Sequence, residues 1–258
     1  MLNVGRRGGG SRPARPARPL RYARAMNPSV RDLGDEVRFA VEDVDEATAA
    51  LLRAQFFTEV DGRLEKRFRH DALLFPHDFR AIEARWSRYM REARDRRVTP
   101  AAVDRALAWV ADRHAEAGID WWLAGSAALY ARGIDLLPHD LDVMTYLREA
   151  DTIAPVVESS IVEPFQRVSD WVVKGFGVID RGVRVDYAFE PEAWVDGQGI
   201  VDFGPTAERH LEEIGWRGRT LRVPEVTTHL RSNEVRGRLD RVASIRAYLQ
   251  RSAGDRPR

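Results

Sequence analysis

Three segments between residues 119 and 190 carry the apolar and polar periodicity of β-strands. In RGVRVDYAFE, Val183, Val185 and Tyr187 alternate with charged or small residues, HDLDVMTYL alternates in the same way, and IDWWLAG is a short apolar run. Successive side chains on a strand point to opposite faces, so these segments require a sheet with one buried face. Helical spacing in SAALYARG follows directly after the first segment. The predicted fold class is therefore α/β (α+β), a mixed sheet with flanking helices.

Composition divides the chain into four parts. Residues 1–29 are rich in Arg, Pro and Gly and are predicted to be a disordered tail. Residues 30–118 show helical spacing, with Thr99-Pro100 opening one helix and Gly118 ending it, and predict a helical N-terminal region. Residues 119–204 form the predicted α/β core. Residues 205–258 predict a further β element and C-terminal helices.

Composition also excludes several classes of site. The 258 residues include no cysteine, which removes disulfides, thiolate zinc sites and cysteine nucleophiles. The six histidines lack metal-ligand spacing, and Ser126 lacks the GxSxG pattern of a hydrolase nucleophile. No stretch approaches the roughly 20 apolar residues of a membrane span, so no membrane partner and a cytoplasmic location are expected.

The charge distribution argues against a broad nucleic-acid surface. Of the 41 basic residues, seven lie in the first 30 positions, which hold none of the 40 acidic residues. The remaining chain is thus mildly acidic, and a nucleic acid enters the interpretation only as a candidate acceptor.

Two aspartates on one predicted strand indicate a metal site. Asp140 and Asp142 are two residues apart, so both carboxylates leave the same face about 7 Å from each other. Like charges at that distance raise a carboxyl pKa unless a cation lies between them. Mg²⁺ is typically held by one or two carboxylates together with phosphate oxygens, which makes it the expected cofactor.

Gly125 and Ser126 predict the complementary phosphate site. They lie where the first strand turns into a helix, and glycine there lets a phosphate approach free backbone N–H groups. A nucleoside triphosphate that binds as its magnesium complex needs both the metal site and the phosphate site. Asp186 is the third candidate, because it lies on the polar face of its strand, where it would bind a second metal or accept the acceptor's proton.

Three further groups have two interpretations each. Glu190 follows Asp186 on the same face and is either the general base for an acceptor hydroxyl or a turn residue before Pro191. Lys174 is either a phosphate ligand or an exposed strand residue. The basic residues of the segment 236–241 either contact phosphates or form a solvated helix face, and the solvated interpretation is preferred.

These motifs resemble the nucleotidyltransferase superfamily that shares the DNA polymerase β catalytic fold. The pattern is Gly125-Ser126, a spacer of thirteen residues, Asp140-Leu141-Asp142, and a later acidic residue on a strand, here Asp186. The resemblance spans about residues 119–190 and is greatest to small bacterial members, including lincosamide, aminoglycoside and toxin or antitoxin nucleotidyltransferases. It identifies 119–204 as a nucleotidyltransferase-like catalytic core.

The C-terminal segment extends the resemblance. Pro224-Glu225 matches a family helix start, and Arg231 stands where the family has a phosphate-binding lysine, a change that keeps the charge and alters the donor geometry. The resemblance implies Mg²⁺-dependent transfer of a nucleoside monophosphate from an NTP to a hydroxyl acceptor. A small molecule is the favoured acceptor, with tRNA and protein as the other classes.

Two alternatives to this enzyme stay open. The first is a non-catalytic protein of the same fold that binds a nucleotide or a partner. The second is a metal-dependent phosphohydrolase built on the His-Asp pairs at 70–71, 77–78 and 139–140, although the last pair lies in a strand pattern and the others lie near Pro76.

Overall fold

The computed structural model describes residues 26–93 and 96–254, and the strands in these ranges form three sheets. The strands are β1 (Asn27–Asp32), β2 (Glu36–Glu42), β3 (Thr58–Val60), β4 (Arg63–Arg69), β5 (Trp121–Ala124), β6 (Asp140–Thr145), β7 (Ile161–Arg167), β8 (Val173–Asp180), β9 (Arg184–Pro191), β10 (Leu211–Trp216) and β11 (Arg219–Pro224). The helices are α1 (Glu46–Ala54), α2 (Phe79–Ala93), α3 (Pro100–Ala117), α4 (Gly125–Ala131), α5 (Ala150–Val157), α6 (Trp194–Gly197), α7 (Pro205–Arg209), α8 (Val226–Val235) and α9 (Leu239–Gly254).

The central sheet has the strand order β5-β6-β9-β8-β7. β6 and β9 run parallel to each other, and every other pair in this sheet is antiparallel. The predicted mixed α/β fold is confirmed. The parallel pair at the centre carries Asp140, Asp142 and Asp186, so the topology itself brings the three predicted acids onto adjacent strands.

The two faces of the central sheet differ as the alternation predicts. Leu141, Val143, Val185, Tyr187 and Phe189 are fully buried. They belong to the main hydrophobic core, which also contains residues of α3 and α5. The opposite face holds the aspartates and a smaller apolar cluster. Each fully buried side chain of this size contributes about 1.5–3 kcal/mol to folding, so the strand parity is strongly fixed.

The prediction of a helical region over residues 30–118 is correct for α1, α2 and α3 and wrong for residues 30–42 and 58–69. Those residues form an antiparallel sheet with the order β1-β2-β4-β3. The period-two signal is present in β2, where Val37, Phe39 and Val41 are fully buried. It is weak in β4, because charged residues occupy most of that strand, including the buried Glu65.

Helix α2 joins the two sheets by packing against both β1 and β7. Its Trp86 is fully buried and packs edge-on against Phe39 at a ring-centroid distance of 4.8 Å. The N-terminal sheet and the central sheet therefore share one hydrophobic core.

Several local predictions are confirmed and several are corrected. Thr99 accepts a hydrogen bond from the backbone N–H of Ala102 at the start of α3, and Gly118 ends that helix in the left-handed conformation with φ +67°. Residues 1–25 of the predicted tail lie outside the described residues, but the tail does not extend to residue 29, since β1 begins at Asn27. The single predicted β element after residue 205 is the hairpin β10–β11.

In the described part of the chain, no helix combines the length and the apolar character needed to cross a bilayer.

Candidate functional site

The site begins at the sharp turn from β5 into α4. Gly125 makes this turn with φ +59°, a backbone conformation that residues with a Cβ rarely adopt. A Cβ at this position would lie 2.0 Å from Oδ2 of Asp142. Gly125 is therefore required twice, for its backbone angle and for the space that the Asp142 carboxylate occupies.

Asp140 and Asp142 leave β6 on the face away from the main core. Their neighbours Leu141 and Val143 are fully buried on the other face, while both aspartates are partly exposed. Asp142 is paired in register with Ala124 of β5 on one side and Asp186 of β9 on the other. Asp140 and Asp142 therefore lie on the same face of β6, the placement that their spacing in the sequence predicts.

A cavity of about 370 Å³ opens over the two carboxylates. We call this cavity the cleft; its lining residues are Gly125, Ser126, Asp140, Asp142, Val172, Ile200, Phe203, Arg236, Arg238 and Arg241. Two carboxylates and three guanidinium groups thus share one cavity. Cations and anions in one small volume match a ligand that carries phosphates together with a metal ion.

The three arginines come from the junction of α8 and α9. Arg236 is the C-cap of α8, Gly237 reverses the chain with φ +64°, and Arg238 precedes α9. The preferred interpretation of these arginines as a solvated helix face holds only for the exposed Arg238; Arg236 and Arg241 are partly buried, and all three line the cleft. The positive end of the sixteen-residue helix α9 begins at the same place.

The charges in the cleft strongly perturb Asp142. Burial raises the pKa of Asp142 well above its usual value, and the nearby carboxylates of Asp140, Asp186 and Asp202 raise it further. Arg236 opposes this shift. A cation bound between Asp140 and Asp142 would remove the repulsion between them.

Asp186 lies beside Asp142 on the neighbouring strand, and the cation that it contacts is Arg184. Nε of Arg184 lies 2.6 Å from Oδ1 of Asp186, an ion contact without the direction of a hydrogen bond. Burial raises the pKa of Asp186 to about 6, with Arg184 acting against the shift and Asp140 adding to it. This carboxyl group therefore changes its charge close to neutral pH.

A buried chain of charges continues from Asp186 to the N-terminal sheet. Arg184 also lies 3.5 Å from Glu163 of β7, and Nζ of Lys66 on β4 lies 2.5 Å from the other oxygen of Glu163. Burial alone would raise the pKa of Glu163, but Lys66 and Arg184 hold it below its usual value. The N-terminal sheet thus contributes a charge to the support of Asp186.

Glu190, Lys174 and Arg231 lie outside the cleft lining, as does Asp186. Glu190 accepts hydrogen bonds from the backbone N–H of Leu147 and from Nζ of Lys174, both at 3.3 Å. Glu190 is four positions after Asp186 on β9, a distance of about 13 Å along the strand. Arg231 is exposed on α8 and does not line the cleft. The structure therefore brings Gly125, Ser126 and the first two aspartates together and leaves these three residues apart.

The donor set fits one magnesium ion that also binds phosphate. Asp140 and Asp142 offer two carboxylates in the cleft lining, and the missing Cβ of Gly125 makes room for the carboxylate of Asp142. Within residues 26–93 and 96–254, no group of three or more His, Cys, Asp or Glu side chains is arranged to hold a metal ion. This applies to the three aspartates and to the His-Asp pairs, so neither a three-carboxylate centre nor the phosphohydrolase alternative gains support.

A second cavity lies beside the cleft. It has a volume of about 420 Å³, and we call it the aromatic cavity; its lining residues are Phe56, Thr58, Glu65, Lys66, Arg67, Gln166, Val168, Asp170, Trp171 and Phe176. The ring of Trp171 packs against Phe56 at 5.2 Å and Phe176 at 4.8 Å between centroids. Trp171 lines this cavity and the next residue, Val172, lines the cleft, so the two cavities are neighbours.

Sequence reasoning missed the cleft residues contributed by irregular segments. Ile200 and Phe203 lie between α6 and α7, and no periodic pattern marks them. A phosphate contact is one of the two interpretations of Arg236 but not the preferred one, and Gly237, which interrupts the helical pattern between two arginines, is the signal that favours its place in the cleft.

The sequence matches no protein-family model, and no curated protein resembles it significantly. Three chains of known structure do match. One is the crystal structure of a putative nucleotidyltransferase from Thermotoga maritima, which is 18% identical and superimposes with a TM-score of 0.44 over 60% of this chain and 96% of that chain. At this identity and TM-score, the similarity carries no conclusion about activity or substrate.

Proposed function

We propose that the protein is a nucleotidyltransferase that moves a nucleoside monophosphate from an NTP to a hydroxyl acceptor. One observation carries the proposal: Asp140 and Asp142 share a single cleft with Arg236, Arg238 and Arg241. Paired carboxylates are suited to a magnesium ion, and clustered guanidinium groups are suited to the oxygens of a triphosphate. The magnesium complex of an NTP requires both.

Magnesium bound by Asp140 and Asp142 would neutralise charge on the phosphates and hold them in position. Gly125 allows the Asp142 carboxylate to lie against the turn after β5. The guanidinium groups bind the β and γ phosphates, and they stabilise the negative charge that collects on pyrophosphate as it leaves. The anion site therefore depends more on these arginines than on the helix α4, which has only seven residues.

In the transfer step, the acceptor oxygen forms a bond to the α phosphorus. The bond from that phosphorus to the bridging oxygen breaks, and its electron pair leaves with pyrophosphate. Asp186 receives the acceptor's proton, because its pKa of about 6 suits a general base near neutral pH. Arg184 orients this carboxylate through the contact at Oδ1.

We propose the aromatic cavity as the site of the acceptor. It adjoins the cleft at residues 171–172, and its volume of about 420 Å³ suits a small molecule. Phe56 is 59% exposed and has φ +67°. An exposed aromatic residue in that conformation is costly for folding, which favours a role in binding.

The test is incubation of the protein with each α-labelled NTP, Mg²⁺ and a cell extract. The expected result is label on a small molecule, with transfer abolished in Asp140→Asn and Asp142→Asn. Asp180→Asn is the matched control, since Asp180 forms a half-buried ion pair with Arg96 away from the cleft lining. Undiminished transfer in either cleft variant would refute the assignment, and nucleotide binding without any transfer would support the non-catalytic alternative.

A further inference from the structure

We infer that Asp202 is a positioning residue that holds Arg236 in the cleft before a nucleotide arrives. This inference rests on the proposed function and adds a residue that neither motif nor alternation indicates. Asp202 is 1% exposed and does not line the cleft, so it acts through Arg236 rather than on the ligand.

The contacts of Asp202 form a closed buried cluster. Its Oδ1 accepts a hydrogen bond from Nη2 of Arg236 at 3.2 Å, and its Oδ2 lies 3.4 Å from Nδ1 of His229. Its backbone N–H donates to the hydroxyl of Ser232 at 2.9 Å. We call these four residues the Asp202 cluster. His229 and Ser232 are fully buried on α8, so the segment 200–204 is fastened to the helix that ends at Arg236.

The charge of Asp202 is retained despite its burial. Burial would raise its pKa, but the contacts with His229 and Arg236 lower it below the usual value. A buried ion pair contributes little net stability compared with apolar residues of the same size. Fixing the direction of one guanidinium group is the physical effect that this arrangement provides.

Arg236 lies between two carboxylates. It bonds to Asp202 on its buried side, and it acts electrostatically on Asp142 on its cleft side. The guanidinium carbon of Arg236 also lies 5.6 Å from the ring centroid of Phe203, and this contact restricts the side chain further. An arginine fixed in this way loses little rotamer freedom when a phosphate binds, so the phosphate binds more tightly.

The experiment measures the binding of tripolyphosphate in the presence of Mg²⁺ by calorimetry. This probe carries the phosphates without a base, so it separates the phosphate site from base preference. Asp202→Asn should weaken binding about tenfold, the effect of about 1.4 kcal/mol from one lost charged hydrogen bond. Asp180→Asn should bind like the wild type.

A double-mutant cycle separates positioning from general damage to the fold. Arg236→Ala should weaken binding at least as much as Asp202→Asn, and the double variant should be no weaker than Arg236→Ala alone. The inference would be overturned if Asp202→Asn weakened binding as much in the Arg236→Ala protein as it does in the wild type. It would also be overturned if the Asp202→Asn protein bound the probe like the wild type. A wild-type protein that does not bind the probe would instead overturn the proposed function.

A second variant covers the case in which Asp202→Asn does not fold. Ser232→Ala removes only the hydroxyl that fixes the backbone of Asp202, and it should weaken binding by about threefold, or less than 1 kcal/mol. The NMR signals of the Arg236 guanidinium should also broaden in this variant without ligand. Unchanged binding and unchanged signals would contradict the positioning role.

Discussion

Gly125→Ala tests whether the turn after β5 is shaped for the Asp142 carboxylate. Two costs arise from this substitution. Alanine at φ +59° is destabilised by roughly 1–2 kcal/mol. The new Cβ would also lie 2.0 Å from Oδ2 and 3.1 Å from Cγ of Asp142. To reach an ordinary contact of 3.4 Å, the carboxylate oxygen must move by about 1.4 Å.

The second cost falls on the metal and phosphate site. Misplacement of a reacting group by about 1 Å lowers a catalytic rate by about 100-fold. We therefore expect Gly125→Ala to lower label transfer by about that factor while the protein remains folded. Urea unfolding measures the backbone cost, and transfer of the α-labelled nucleotide measures the cost at the site.

Gly118→Ala is the matched control. Gly118 has φ +67°, and a Cβ there would meet nothing within 4 Å. Both variants should lose a similar free energy of unfolding, but only Gly125→Ala should lose transfer. If the two variants keep equal transfer activity, the close approach of Gly125 and Asp142 does not matter for function and the reasoning is refuted.

Three further predictions concern the charges and the second cavity. Asp142→Asn should unfold at a higher urea concentration than the wild type at pH 7. Folding raises the pKa of the Asp142 carboxyl, so this group destabilises the folded protein at pH values above its pKa in the unfolded chain. Equal urea midpoints at pH 7 would contradict the repulsion. The difference should shrink as the pH falls toward 4. Label transfer should decrease about tenfold per pH unit below pH 6, where Asp186 gains its proton, and a flat profile between pH 4.5 and 6 would exclude it as the base. Trp171→Ala should lower transfer to the acceptor and leave calorimetric binding of magnesium tripolyphosphate unchanged, whereas loss of both would place Trp171 in the nucleotide site.

The local parts of the site could be predicted from the sequence. A strand has a side-chain period of two, so Leu141 and Val143 in the core determine where Asp140 and Asp142 must point. The helix signals around Thr99 and Gly118 are also local, since each acts on a backbone group within one turn.

The N-terminal sheet shows where local reasoning fails. In β4, Glu65 is buried and Lys66 is partly buried, because charged groups on other strands compensate them, Arg38 of β2 for Glu65 and Glu163 of β7 for Lys66. A pattern that counts them as polar therefore loses the strand. Burial of charge depends on partners, and the partners of β4 are distant in sequence.

What the sequence alone determined is the strands β5, β6 and β9, their buried faces and the candidate acids. Only the tertiary structure decided which cation meets which acid: Arg184 contacts Asp186, and Asp202 directs Arg236 into the cleft. Periodicity constrains a side chain relative to its own strand or helix, whereas an ion pair depends on the register and packing of segments far apart in the chain.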